Sequence, residues 1–193
     1  ITSPPAIAGD VVVVGSAIGD NNRAVAPSGA VHAFDPRSGR LLWRFDPVPR
    51  SPEAAKAQGW NGSAKPSAGH ANAWAPMAVD AGRGLIFVPT SSPSPDFYGG
   101  LRPGDNRYAN SVVALEAQTG KVRWAYQTVH HDVWDYDVPA QPMLASINRA
   151  GMPIDVVIQL TKTGLIFTLD RDSGKPVFPV HEQAVPQDGA AGE

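Results

Sequence analysis

The sequence predicts an all-β protein built from the repeated blades of a β-propeller, and three observations carry that prediction. A strand, turn, strand pattern recurs three times, a β-branched run bounded by Gly or Pro precedes each copy, and an aromatic residue closes each unit. Composition agrees. Of the 193 residues, 42% are hydrophobic and 18% charged, and 19 Gly with 19 Pro suit a loop-rich packed domain rather than a coiled coil or a disordered chain.

The first unit starts at the valine run 10–15 (DVVVVG), whose β-branched side chains favour a pleated strand. The segment 29–43 (GAVHAFDPRSGRLLW) then alternates apolar and polar residues, turns through Asp35-x-x-Ser38-Gly39 and resumes in an apolar run ending at Trp43. In the second unit the strand run is 84–89 (GLIFVP) and the hairpin is 111–124 (SVVALEAQTGKVRW), with Gly120 at the turn and Trp124 at the close. The third has its strand run at 155–161 and its hairpin at 164–178, with Gly174 at the turn and Phe178 in place of the Trp. Trp43, Trp124 and Phe178 are expected to plug the gaps between blades.

Blade units of roughly 1–50, 75–127 and 150–185 follow, separated by inserts at 46–75 and 91–110 that are rich in Pro, Gly and Ser. Inserts of that length in a compact fold are usually functional. A Ser-Pro start and helix-forming residues predict one or two helical turns over 51–58. Three blades cannot close a ring, and their open edges would pair with other strands, so the chain reads as a piece of a longer protein.

Charge narrows the partners. With 16 Lys+Arg against 18 Asp+Glu the net charge is −2, which offers no grip for nucleic acid or an anionic membrane. The chain has no cysteine, so it has no disulfide framework, thiolate nucleophile or Cys-based zinc site, and any metal must sit on oxygen or imidazole. Apolar runs fall far short of the roughly 18 residues of a membrane helix, so membrane contact is expected only through parts outside this chain.

The densest polar cluster is 128–137 (TVHHDVWDYD), which packs His130, His131, Asp132, Asp135 and Asp137 around Trp134 and Tyr136. Taken alone, these residue types suit a solvated turn or a His-rich zinc site as well as a catalytic loop.

Four further stretches accompany that loop: 15–47, 71–74 (ANAW), 95–106 (PDFYGGLRPGDN) and 161–171 (TKTGLIFTLDR). Together with 127–142 (QTVHHDVWDYDVPAQP), and in this order, they resemble the pyrroloquinoline quinone (PQQ)-dependent alcohol and sugar dehydrogenases, nearest the membrane glucose dehydrogenase branch. The resemblance implies a fragment of about three blades from an eight-bladed β-propeller of the bacterial periplasm, inactive by itself. It also implies PQQ-dependent oxidation of a sugar or polyol hydroxyl, by hydride transfer to the quinone with a metal ion as Lewis acid. Electrons would pass to ubiquinone or a cytochrome.

Residue roles come with it. Asp135 falls on the general base that also approaches the metal, and Lys162 on the cation that hydrogen-bonds the quinone oxygens. Trp74 falls on the tryptophan beneath the planar cofactor. Asp20, with Asn21 beside it, falls on the acidic position at metal and cofactor. Ser92 stands where many relatives place an Asn ligand, and Asp137 where lanthanide-using relatives carry an extra carboxylate. These oxygens imply Ca2+ or Mg2+, or a lanthanide. His130, His131 and Asp132 are expected to hold the loop, and Asp105 with Asn106 to fix the turn before a strand. The competing class is a non-catalytic propeller scaffold or binding module with the same blade repeats. The discriminating feature is whether Asp20, Trp74, Asp135 and Lys162 converge.

Overall fold

The computed structural model describes residues 3–21, 25–27, 29–58, 60, 69–186 and 188–190. Parts of two expected features, the insert at 59 and 61–68 and the start of the first unit at 1–2, lie outside the described residues.

The chain folds into three antiparallel sheets, each a meander in sequence order. The first contains β1 (Ala6–Ala8), β2 (Val11–Val14), β3 (Val31–Phe34) and β4 (Leu41–Phe45). The second contains β5 (Ala78–Asp80), β6 (Leu85–Pro89), β7 (Ser111–Glu116) and β8 (Val122–Gln127). The third contains β9 (Met143–Arg149), β10 (Met152–Leu160) and β11 (Ile166–Asp170). Across sheets, the first strands meet one another, β1 with β5 and β5 with β9.

Period-2 patterning on the middle sheet explains the stacking. Ile86, Val88, Val113 and Leu115 face the first sheet and pack on Val11, Val13, Val31 and Trp43. Their alternates Leu85, Phe87, Val112 and Ala114 face the third sheet and pack on Val157, Phe167 and Leu169. A run such as LIFVP, buried at every position, is therefore a strand with a neighbouring blade on each side.

Two of the three turn glycines, Gly120 and Gly174, join a blade to the previous one. Asp35 Oδ1 accepts the amide protons of Arg37 and Ser38, and Gly39 N donates to Asp35 O at 2.8 Å with φ +70°, the left-handed region open to glycine. The same turn recurs at Gly120 and Gly174, with φ +68° and +71°. There the missing side chain makes room for an indole: Trp43 lies against Gly120 and Trp124 against Gly174. Trp43 Nε1 donates to Ala117 O at 2.8 Å, and Trp124 Nε1 donates to Arg171 O at 3.0 Å. The two tryptophans thus act as the plugs expected of them.

The third unit departs from the expectation. Its sheet begins at β9, upstream of residue 150, and among the described residues no strand follows the Gly174 turn, where one bridge pairs Leu169 with Pro176. Proline has no N–H to extend the ladder. Phe178 is 52% exposed, with the Arg149 guanidinium 5.3 Å above its ring, so it fills no gap between the sheets present.

Strands β2, β4, β6, β8 and β10 run the same way in their meanders, so the segments that follow them emerge at one edge of the sheets. Those segments carry Asp20 after β2, Trp74 after β4, Ser92 after β6, Asp135 and Asp137 after β8, and Lys162 after β10. The expected short helix is α1 (Pro52–Ala57), capped by Ser51 Oγ accepting from Ala54 N.

Candidate active site

Lys162 sits in the turn between β10 and β11 and reaches across to the segment after β8. Its Nζ lies 3.1 Å from Asp135 Oδ2, 3.0 Å from Asp137 Oδ2 and 3.0 Å from Asp135 O. Partial burial works to lower the Lys162 pKa, but the hydrogen bonds it donates to Asp137 and Asp135 outweigh it and the net shift is upward. Asp137 Oδ1 accepts from Ser92 N at 2.8 Å, which ties the segment after β8 to the segment after β6. Burial raises the Asp137 pKa, against the Ser92 amide and the Lys162 ammonium, and the charge of Asp135 adds to the rise.

Asp135 has φ +59°, a left-handed conformation that costs a non-glycine residue energy and persists only where the surroundings impose it. Its neighbour Asp132, buried, supplies the constraint. Asp132 Oδ1 accepts from Trp134 N at 2.8 Å, and Oδ2 accepts from Tyr136 N and from Asn110 Nδ2, both at 2.7 Å. His131 Nδ1 bonds Gly104 O at 2.7 Å, and His130 Nε2 pairs with Glu182 Oε1 at 3.2 Å. Asn106 exchanges hydrogen bonds with Arg102, Oδ1 accepting from the guanidinium and Nδ2 donating to Arg102 O, within its own loop.

On the first sheet's side, Asp20 and Asn21 are held by two asparagine clasps. Asn72 Oδ1 accepts from Ile18 N and its Nδ2 donates to Ile18 O, each at 2.9 Å, with Asp20 Oδ1 3.4 Å from the same Nδ2. Asn21 Oδ1 accepts from Asp96 N at 2.9 Å and Nδ2 donates to Asp96 Oδ2 at 3.0 Å, so Asp96 engages both polar atoms of that side chain. Beneath Asp20 lies His70, fully buried, with Nε2 3.6 Å from Asp20 Oδ1. Burial lowers its pKa, with the Asp20 charge opposing.

Asp96 is the most perturbed carboxyl here. Burial first, then the charges of Asp20 and Asp135, push its pKa up to about 7, against the Asn21 hydrogen bond. Asp20, Asp96, Asp135 and Asp137 therefore share one electrostatic environment, with Lys162 as the cation within it. Trp74, half-buried, lies two residues beyond Asn72. Sequence reading missed Asp96, Asn72, His70, Asn110 and Arg102, whose partners are mostly distant in sequence.

The donor set suits a hard cation. Asp20, Asp135, Asp137 and Ser92 offer only oxygen, and Ser92 Oγ and Asp96 Oδ1 are buried without hydrogen-bond partners. Among the described residues no three His, Cys, Asp or Glu side chains gather closely enough to hold a metal by themselves. Nor, among those residues, is any helix long and apolar enough to cross a membrane.

At one edge of the three sheets, then, a lysine is shared between two carboxylates beside an oxygen-only donor set. The family model "PQQ: Glucose/ethanol/alcohol dehydrogenase, beta-propeller domain" matches residues 1–193, and the chain belongs to that family. It is 44% identical over 188 residues to the quinoprotein glucose dehydrogenase A of Acinetobacter calcoaceticus, covering 96% of this chain and 23% of that one. It is 43% identical over 199 residues to the quinoprotein glucose dehydrogenase of Escherichia coli (strain K12), covering 100% and 24%. Among solved structures, the quinohemoprotein alcohol dehydrogenase from Comamonas testosteroni superposes with a TM-score of 0.81 at 31% identity, over 100% of this chain and 30% of that one. The chain thus spans about a quarter of the length of the curated relatives it matches.

Proposed function

We propose that this chain forms part of a PQQ-dependent dehydrogenase that oxidises a hydroxyl of a sugar or polyol. The observation that carries the reading is the Lys162 ammonium placed between Asp135 and Asp137 beside an oxygen-only donor set. When bound, PQQ supplies the acceptor for a hydride and the cation supplies a Lewis acid.

The protein's own part is binding, orientation and proton transfer. Asp135, its carboxylate partly exposed at the site, takes the proton from the substrate hydroxyl. Lys162 holds that carboxylate and would present a fixed positive charge to a bound quinone. Asp20, Asp135, Asp137 and Ser92 would hold Ca2+ or Mg2+, or a lanthanide, while Asn21, beside Asp20, is fixed by its clasp with Asp96. The Trp74 ring gives a flat apolar surface for a planar cofactor. Ubiquinone or a cytochrome takes the electrons onward, in the periplasm, where the relatives' named activities on glucose fit a sugar substrate.

The test is reconstitution of the full-length protein with PQQ and calcium, followed by dye-linked oxidation of a sugar and polyol panel. Asp135→Asn should abolish oxidation while PQQ still binds. Undiminished turnover by that variant would remove Asp135 as the base.

A further inference from the structure

The 91–110 insert and the loop after β8 share a buried polar assembly that holds the backbone on both sides of Asp135. Asp132 stands at its centre, 1% exposed, with three N–H donors on its two carboxylate oxygens. Two of those donors, the amides of Trp134 and Tyr136, flank Asp135 on either side. The third, Asn110 Nδ2, also donates to Tyr136 O at 2.9 Å, so it grips the same turn twice. Asn110 is itself left-handed, at φ +46°, and 1% exposed.

Arg102 ties this cage to the insert. Fully buried, it donates to Asp132 O at 2.6 Å, to Pro95 O at 2.9 Å, to Asp96 O at 3.3 Å and to Asn106 Oδ1 at 2.7 Å. One planar fork therefore fixes the backbone beneath both Asp96 and Asp132. His131 N, donating to Asp105 O at 3.2 Å, adds a further tie between the two loops. A buried arginine and a buried aspartate, each satisfied mainly by backbone and amide groups, cost desolvation that a plain surface loop would never need. What they maintain is a left-handed aspartate with its carboxylate turned towards Lys162.

We propose that Asp132, anchored by Asn110 and Arg102, is a positioning residue that sets the Asp135 carboxylate for proton abstraction. This rests on the reading of Asp135 as the base. Asp132 itself touches neither substrate nor cofactor. An ionised carboxylate accepts all three N–H groups, whereas an amide of the same shape turns an NH2 towards at least one of them. The flanking turn then relaxes, and Asp135 loses its alignment.

The experiment uses the full-length protein loaded with PQQ and calcium, and compares Asp132→Asn, Asn110→Gly and Asp135→Asn. Glycine at 110 tolerates the left-handed backbone and removes the side chain that grips Asp132. Expected for Asp132→Asn is a kcat lower by about 10²-fold, with KM and PQQ affinity unchanged and a larger substrate-deuterium isotope effect, because the bond-breaking step becomes limiting. Asn110→Gly should shift the same readouts in the same direction by less. Wild-type kcat in both variants would overturn the proposal. So would PQQ affinity falling in step with kcat, which marks a loop that merely holds the fold. If Asp135→Asn kept full activity, the base assignment would fail and the proposal with it, whereas an inactive Asp135→Asn beside an unaffected Asp132→Asn would refute the positioning role alone.

Discussion

Replacing Gly120 by Ala in the full-length protein tests how the blades that carry the site are locked together. Gly120 and Gly84 both have positive φ, +68° and +64°, so an alanine at either bears the left-handed cost of about 1–2 kcal/mol. Their surroundings differ. A Cβ at Gly84 meets nothing within 4 Å, whereas at Gly120 it would stand 2.6 Å from two ring carbons of Trp43. Carbon contacts relax near 3.5–4.0 Å, so the indole must retreat by about 1 Å. That retreat stretches the buried Trp43 Nε1 to Ala117 O hydrogen bond from 2.8 Å. An unsatisfied buried donor costs about 1–3 kcal/mol and overpacking a similar amount, so Gly120→Ala should exceed Gly84→Ala by about 2–6 kcal/mol. Hydrogen exchange of peptides covering 41–45 and 115–122 reads this locally, as faster opening in Gly120→Ala. Equal exchange in the two variants would refute the claim that the indole on the turn glycine locks blade to blade.

Two other outcomes follow from the site's charges. The folded Asp96 carboxyl, with its pKa near 7, holds a proton more firmly than the unfolded chain does, so in metal-free protein its contribution to stability falls as pH rises from about 4 to 7. Asp96→Asn should lack that slope and gain on the wild type across this window in thermal melts, and parallel profiles would contradict the burial argument. Lys162→Met should lower kcat by about 10²-fold, since it removes a fixed charge from the reacting region. The same variant should bind calcium more tightly by calorimetry, because the ammonium no longer occupies Asp135 and Asp137; weaker calcium binding would contradict the shared site.

Much of the fold is legible in the sequence because blades repeat a local rule. The Asp-x-x-Ser-Gly turn at 35–39 and the β-branched runs at 11–14 and 85–89 encode hairpins and strands within a few residues. Less legible are β1 and β5, three residues each, which are too short for periodicity to register. The third unit misleads, since 164–178 repeats the hairpin pattern while Pro176 denies it a fourth strand. At the site, Asp135, Asp137 and Lys162 stand in stretches that carry the family resemblance. Asn72 and Asp96 stand in such stretches too, but what they support is not written locally: Asp96 meets Asn21 across 75 residues, and Asn72 meets Ile18 across 54. A buried asparagine or arginine has no local pattern, and only tertiary pairing shows what it holds.

The most direct test of the central claim is a PQQ titration of the full-length protein with and without calcium, followed by tryptophan fluorescence. Quenching should require calcium, be lost in Asp20→Ala and be reduced in Trp74→Ala. PQQ binding indifferent to calcium and to Asp20, or no binding at all, would contradict that claim.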